Sequence, residues 1–188
     1  MPVSSDLHEL RCFVSVRIPD QLKENILLAG REPNLQGVKL IERDSLHITL
    51  KFLGNVKPSM LEGVVSILRA IEFSPFIVKL KGFGVFPSEE YIRVVWIGCE
   101  SRGLYDLDKK INLALADIFR KEEFTAHLTI ARVKRKVDLH KFLEQHKNDS
   151  FGEFVCSSFE LMQSKLTSAG PSYSVLAEFA AKPAKVNI

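Results

Sequence analysis

Hydrophobic positions along this chain follow two periods, one typical of β-strands and one typical of α-helices. Apolar runs rich in β-branched and aromatic residues predict strands over 10–19, 38–54, 76–87, 91–100 and 126–133. Two further runs, 154–166 and 172–181, are predicted to form final strands, joined by a turn at Gly170 and Pro171. The pattern therefore predicts many strands and a closing hairpin.

Helical periodicity lies between these strands. It covers 20–30, 58–71, 103–121 and 138–147. In the longest of these segments, one stripe contains Leu104, Leu107, Ile111, Leu115 and Ile118. Because strands and helices are interleaved along the chain, the predicted fold class is α+β.

Composition places the chain among ordinary globular proteins. It has 188 residues, of which 46% are hydrophobic and 26% charged, with a formal net charge of +3. This balance excludes a crude polycation but permits a local basic patch. Three widely spaced cysteines, with no C-x-x-C pair, predict buried thiols in a reducing cytoplasm. Neither a signal core nor a membrane-length apolar run is present, so a cytoplasmic protein without membrane partners is expected.

One strand-like stretch, SLHITLKFLG at 45–54, interrupts its aliphatic residues with His47 and Thr49. The strand at 126–133 does the same with His127 and Thr129, although the chain holds only five histidines and four threonines. Side chains two residues apart share one face of a strand, so each polar pair faces away from its aliphatic neighbours. A strand and a helix precede both motifs, which suggests two related lobes about a pseudo-two-fold axis.

Two imidazoles and two hydroxyls that meet in a cleft suit acid–base attack on a phosphodiester. One imidazole accepts a proton, the other donates one, and threonine binds a phosphoryl oxygen. A metal site is the less favoured alternative, because no H-E-x-x-H motif occurs and His140 and His146 lie on a short charged helix. The absence of a G-x-x-x-x-G-K-[ST] loop argues against ATP use through such a loop.

These residues resemble a known family. RCFVSVRIP, SLHITLKFLGNV, FTAHLTIARV and LMQSKLTSAGPSYSVL are similar to the opening strand, two H-x-T motifs and closing hairpin of the 2H phosphoesterase superfamily. The resemblance covers nearly the full chain and is closest to the LigT-like RNA 2',3'-cyclic phosphodiesterases, also called 2'-5' RNA ligases. One departure is Ala126, where the family commonly has a proline before the second histidine.

The resemblance implies a single domain over 1–188 with two pseudo-symmetric lobes, roughly 10–90 and 91–188, which could exchange strands. Two mainly antiparallel sheets flanked by helices would enclose a central cleft. It also implies conversion of 2',3'-cyclic phosphate ends of RNA to 2'-phosphates without metal or another cofactor. Ligation through a 2'-5' linkage without ATP would be a possible second outcome.

The resemblance also assigns roles to residues. By analogy His47 would protonate the leaving 3'-oxygen and His127 would activate the nucleophile, although the sequence permits the reverse. The hydroxyls of Thr49 and Thr129, together with the guanidinium of Arg132, would bind the phosphate.

Several nearby residues permit two interpretations. Phe52 and Arg132 each follow a motif histidine by five positions, the wrong parity for a regular strand, so they would reach the cleft only beside a bulge or a strand end. Phe52 would then stack on a base, and otherwise it belongs to the core. Lys51 has the parity of His47 and is expected in the cleft, and Tyr173 fits either the cleft or the core. The basic run 134–136 suits either an RNA guide or a solvated turn.

The expected partner is RNA with a 2',3'-cyclic phosphate end, tRNA fragments among them, or a cyclic nucleotide, and the protein is expected to be a monomer. Two rival functions remain open from sequence alone. One is a related enzyme that acts on a small cyclic nucleotide or another phosphodiester. The other is a protein that binds RNA ends without turnover, which would not need two proton carriers.

Overall fold

The computed structural model describes residues 8–31, 37–167 and 170–182, so the remaining parts of the predicted domain, 1–7, 32–36, 168–169 and 183–188, lie outside the described residues. The strands are β1 Leu10–Arg17, β2 Val38–Leu40, β3 His47–Val56, β4 Phe76–Ser88, β5 Tyr91–Glu100, β6 His127–Val133, β7 Ser150–Cys156, β8 Ser158–Thr167 and β9 Gly170–Ala180. The helices are α1 Asp20–Arg31, α2 Pro58–Arg69, α3 Arg102–Ala114 and α4 His140–His146.

The strands form a sheet in the order β7-β4-β5-β6-β3-β1-β8-β9, with β2 beside β6, and every pairing is antiparallel. Its two halves meet where β3 lies next to β6, at the single pair Ile48 and Leu128. The α+β prediction is confirmed, and the two expected sheets are the halves of this sheet. Strands β8 and β9 come from the second predicted lobe but lie beside β1 of the first, which is a strand exchange of the kind that the prediction allows. The division into two lobes itself stays a prediction.

Helices α1 and α3 support the strands that carry the two H-x-T motifs. Helix α1 packs against β6 and β7, and α3 packs against β3 and β4. The predicted stripe of α3 is buried at Leu104, Leu107 and Ile111, and the aliphatic residues Ile48 and Leu128 are fully buried as well. Each motif strand is thus anchored by one face, which leaves its other face for polar side chains. Among the described residues, no helix is both long and apolar enough to cross a membrane.

Strand β3 contains a bulge directly after its motif. Thr49 pairs with Ser15 on β1, but Lys51 pairs with the adjacent Val14, so Leu50 is an extra residue without a partner. An extra residue shifts the alternation of side chains by one position. Lys51 and Phe52 therefore face the side opposite to the one that simple alternation predicts, up to a second extra residue at Leu53.

Strand β6 has the same feature at the equivalent position. Thr129 pairs with Trp96 on β5, whereas Ala131 pairs with Val95, so Ile130 is the extra residue. Over the seven residues that begin with the motif histidine, β3 and β6 have the same order of half-buried, buried and exposed side chains. The two motif strands are therefore structural equivalents, as the repeated sequence suggests.

The expectation that Lys51 lines the cleft is wrong. Its side chain is only 1% exposed, and its ammonium donates hydrogen bonds to Asn112 Oδ1 and to the carbonyl of Arg120, both at 2.6 Å. Asn112 in turn donates to the carboxylate of Asp108 at 2.7 Å. The bulge at Leu50 turns Lys51 to the helical side of the sheet, where it ties β3 to the segment that leads into β6.

Two element boundaries also differ from prediction. The run 154–166 is not one strand but two, β7 and β8, which separate at Ser157 and join different halves of the sheet. Helix α3 ends at Ala114 instead of continuing to 121, and Ile118 is 40% exposed. Carbonyls inside a helix accept bonds from later backbone N–H groups. The Arg120 carbonyl lies beyond the helix end and accepts from Lys51 instead.

We expect Lys51→Met to lower the free energy of unfolding by about 1–3 kcal/mol, because Asn112 Oδ1 and the Arg120 carbonyl lose their buried donor. Urea denaturation at neutral pH measures this loss. Lys57→Met, at an exposed position before α2, is the matched control and should leave stability nearly unchanged. Equal stability of the Lys51 variant and the wild type would contradict a stabilising role for this buried ammonium.

Candidate active site

A cavity of about 450 Å³ opens where the two halves of the sheet meet. The six residues to which the sequence assigns catalysis or substrate binding line it: His47, Thr49, Phe52, His127, Thr129 and Arg132. The two bulges explain why residues five positions after each histidine reach the same cavity as the histidines. The adjacency of β3 and β6 explains why segments distant in sequence share one site.

Both imidazoles are held in the same way by the backbone. Nδ1 of His47 lies 2.7 Å from the carbonyl oxygen of Ser45, and Nδ1 of His127 lies 2.7 Å from that of Thr125. A carbonyl oxygen only accepts hydrogen bonds, so Nδ1 must carry the proton in both rings. Nε2 is then the atom of each ring that is available to accept or donate a proton.

Aromatic rings fix the orientation of each imidazole. Phe13 and Tyr173 contact the ring of His47, with centroids 4.9 and 5.2 Å away. Phe86 lies edge-on to His127 at 5.0 Å, and Trp96 follows at 6.3 Å. These contacts limit rotation of the rings. Tyr173 also lines the cavity, which decides its open interpretation in favour of the cleft.

Burial lowers the pKa of both histidines. The pKa of His47 falls to about 4, because burial disfavours its charged form and outweighs the bond to the Ser45 carbonyl, which favours that form. The positive charges of Arg132 and of a protonated His127 lower it further. Burial lowers the pKa of His127 as well, against the opposing effect of the Thr125 carbonyl. Both rings are therefore neutral in the free protein at neutral pH.

The cavity is suited to an anion. Arg132 is exposed, lines the cavity and forms no ion pair with any residue that the structure describes. No Asp or Glu is found among the described residues that line the cavity, whereas Arg11 lines it as well. Thr49 and Thr129 are half-buried and add one hydroxyl from each motif strand. The negative charge of a bound anion would raise the pKa of the histidines and so oppose the effect of burial.

Phe52 does not belong to the core, because its side chain is 56% exposed beside the cavity. Its ring lies 6.3 Å from that of Phe13. The alternative that placed this residue in the core is therefore wrong. The bulge that buries Lys51 is the same one that exposes Phe52.

Sequence reasoning missed several residues of this site, chiefly Arg11, Phe13, Phe86 and Trp96. Arg11 and Phe13 occupy alternate positions of β1, so the parity rule that paired His47 with Thr49 would have placed them on one face. The contacts of Phe86 and Trp96 with His127 depend on which strand lies next to β6, and no local pattern reveals that. The basic run 134–136 does not line the cavity, and its guiding of RNA stays a prediction.

The histidines of α4 have other partners. His140 lies 3.0 Å from a carboxylate oxygen of Glu89, and His146 lies 2.7 Å from one of Asp149. Over the described ranges, no group of three or more His, Cys, Asp or Glu side chains has the arrangement of a metal site. These two histidines therefore do not join the pair in the cleft.

Comparison with known proteins identifies the family of this chain. The family profile described as LigT like phosphoesterase matches residues 16–96. The RNA 2',3'-cyclic phosphodiesterase of Methanocaldococcus jannaschii is 39% identical over 175 residues, which cover 90% of this chain and 100% of that protein. The protein of the same name from Archaeoglobus fulgidus is 36% identical over 180 residues, with coverages of 90% and 99%.

Solved structures share the architecture. TT0787 of Thermus thermophilus superposes with a TM-score of 0.82 at 25% identity, over 93% of this chain and 100% of that one. LigT of E. coli in its apo form has the same fold, with a TM-score of 0.76 at 22% identity and coverages of 93% and 99%. The family profile, together with 39% identity to the M. jannaschii protein over 90% of this chain, shows that the chain belongs to the LigT-like phosphoesterase family of the 2H superfamily.

Proposed function

We propose that this protein hydrolyses the 2',3'-cyclic phosphate ends of RNA to 2'-phosphates. The observation that carries the proposal is the pair of equivalent strands, each of which brings one imidazole and one threonine to a single cavity. The names of the relatives from M. jannaschii and A. fulgidus support RNA as the substrate class. Family membership supports a phosphoester as the bond that is broken.

In the proposed reaction, water attacks the phosphorus atom in line with the bond to the 3'-oxygen. Nε2 of one histidine takes the proton of the water, and a new P–O bond forms. Nε2 of the other histidine gives its proton to the departing 3'-oxygen as the P–O3' bond breaks. The product carries a 2'-phosphate and a free 3'-hydroxyl, and the two imidazoles have exchanged protonation states.

Thr49, Thr129 and Arg132 would stabilise the charge on phosphorus-bound oxygens. Hydroxyl donors that are already oriented cost little reorganisation as charge develops in the transition state. The guanidinium of Arg132 is unpaired among the described residues, so phosphate binding need not break an ion pair first. Both threonines are β-branched, which limits the rotation of their hydroxyls.

For this reaction one of the two imidazoles must be protonated at Nε2, although burial keeps both imidazoles neutral at neutral pH. A bound cyclic phosphate carries a negative charge, which favours protonation of an adjacent imidazole. Repulsion between the two imidazolium forms opposes a second proton, so the complex would hold a single proton on the pair. His47 as acid with His127 as base satisfies this requirement, as does the reverse order, and the assignment stays a prediction.

Ligation is chemically related to hydrolysis in this site. An RNA 5'-hydroxyl in place of the attacking water would yield a 2'-5' linkage without ATP. That activity stays a prediction, as do a monomeric state, a cytoplasmic location and tRNA fragments as the physiological substrate. Two observations would contradict the proposal. One is hydrolysis of a small cyclic nucleotide in preference to RNA, and the other is binding of RNA ends without turnover.

His47→Ala and His127→Ala should each lower the rate of hydrolysis of a cyclic-ended oligonucleotide by about 10²–10⁴-fold, because each removes one proton carrier. Chromatographic separation of the 2'-phosphate product measures the rate. His140→Ala is the matched control, since this exposed histidine on α4 pairs with Glu89 outside the cavity. Wild-type activity in either cavity variant would contradict the acid–base assignment.

Activity should not change on treatment with EDTA, because the proposed proton transfers and phosphate contacts come from side chains alone. Initial rates with and without chelator, on protein dialysed free of added metal, test this expectation. Loss of activity that zinc restores would instead support a metal-dependent reaction.

Acidification should destabilise the protein through His47. Its pKa is about 4 in the folded protein and about 6.5 when unfolded, so only the unfolded chain gains this proton between these values. The free energy of unfolding should therefore fall as the pH drops from about 6.5 to about 4, and His47→Gln should reduce the fall. Urea denaturation across this range measures the effect.

Two further measurements separate His47 from the other histidines. His140→Gln should not reduce the fall, because Glu89 raises the pKa of that imidazole instead. An NMR titration should show the pKa of His47 rising when 2'-AMP is added. A pKa near 6.5 for His47 in the free protein would refute its burial as the controlling factor.

A further inference from the structure

The cavity extends beyond the catalytic side chains along strand β1. On β1, Arg11 and Phe13 line the cavity, and Ser15 lies on the same face of the strand, where it pairs with Thr49 of β3. Strand β1 is regular here, since the extra residues of the β1–β3 pair are on β3. The face of β1 therefore leads from the phosphate-binding threonine past an aromatic ring to a cation.

Arg11 has the properties of an anion site. It is exposed, lines the cavity and forms no ion pair within the described part of the chain. Ser164, its partner across the β1–β8 pair, lines the same cavity and can donate a hydroxyl hydrogen bond. No described acidic residue of the cavity would compete for this guanidinium.

The space between Arg11 and the catalytic pair is floored by aromatic rings. Phe13 lies 5.4 Å from Tyr173 and 6.3 Å from Phe52, and all three residues line the cavity. Phe13 is only 3% exposed, so Phe52 and the half-buried Tyr173 are the rings with surface available for stacking of a nucleic acid base. The order along the cleft is thus acid–base pair, aromatic floor and cation. An RNA end has the matching order of cyclic phosphate, nucleoside and 5'-linked phosphate.

Distance separates the roles of the two arginines. Arg11 lies four positions before Ser15 on the strand, which corresponds to about 13 Å between their Cα atoms. Arg132 is close enough to the catalytic pair for its charge to lower the pKa of His47. Arg11 is therefore placed for an anion other than the phosphate that Arg132 would hold.

A second cavity, of about 530 Å³, is less suited to RNA phosphates. It includes Trp96, whose ring lies 6.3 Å from that of His127. Its described charged residues are Glu89, Glu90, Glu144 and Lys147, and Lys147 is paired with Glu144. Among its described residues, this cavity therefore offers no unpaired lysine or arginine to a phosphate, in contrast to Arg11.

We infer that Arg11 and Ser164 form a second phosphate subsite, which binds the internucleotide phosphate on the 5' side of the terminal nucleoside. This inference rests on the proposed function and extends it. Through this contact the enzyme favours a cyclic-ended RNA strand over a cyclic mononucleotide.

The test compares kcat/KM for adenosine 2',3'-cyclic phosphate with that for the dinucleotide ApA ending in the same cyclic phosphate. In wild type the dinucleotide should be favoured, and Arg11→Gln should lower the ratio about tenfold, the effect of one lost charge-assisted contact. Arg69→Gln, which removes the same charge from α2 outside the cavity, should keep the wild-type ratio. Arg132→Gln should lower both rates and leave the ratio nearly unchanged.

Salt dependence gives a second measurement. The slope of log kcat/KM against log salt concentration should be steeper for the dinucleotide by about 0.7 in wild type, and this difference should vanish in Arg11→Gln. A wild-type ratio in Arg11→Gln would overturn the subsite while leaving the proposed hydrolysis intact. Failure of the wild type to hydrolyse either substrate would overturn both.

Discussion

The site depends on one extra residue in each of two neighbouring strands. Leu50 in β3 and Ile130 in β6 interrupt the pairing with the adjacent strand directly after the motif threonine. In a regular strand Phe52 and Arg132 would turn into the core and Lys51 into the cleft. The bulges exchange these positions. They place a phenyl ring and a guanidinium beside the histidines, and they free Lys51 to tie the sheet to the segment after α3.

The way the two halves join keeps the site open. Strands β3 and β6 pair only at Ile48 and Leu128, both fully buried, and then diverge. A longer ladder between them would close the space that the cavity occupies. Because the histidine precedes this pair on each strand and the strands run antiparallel, the two imidazoles approach the junction from opposite directions. An arrangement of this kind suits attack and departure on opposite sides of one phosphorus atom.

Much of this arrangement could be predicted from the sequence, and the failures within the sheet share one cause. Strand alternation correctly placed His47 with Thr49 and His127 with Thr129, because these pairs precede the bulges. It failed for Lys51, which follows a bulge, since no local signal reports whether a strand has an unpaired residue. The division of 154–166 into β7 and β8 was missed for a related reason. Both strands look alike in sequence, and only their partners differ.

The two halves share a strand plan but differ where the proposed substrate is itself asymmetric. At the positions after the bulges, one half presents Phe52 and the other presents Arg132. The base of a nucleoside on one side of a phosphate stacks on an aromatic surface, whereas the charged phosphate oxygens bind a cation. Two identical halves could supply only one of these. The contacts of Nδ1 with a backbone carbonyl are equal in both halves, at 2.7 Å. The two motif strands thus differ at positions 52 and 132 while they hold their imidazoles alike, which is the combination that the proposed reaction of an unsymmetrical ester requires.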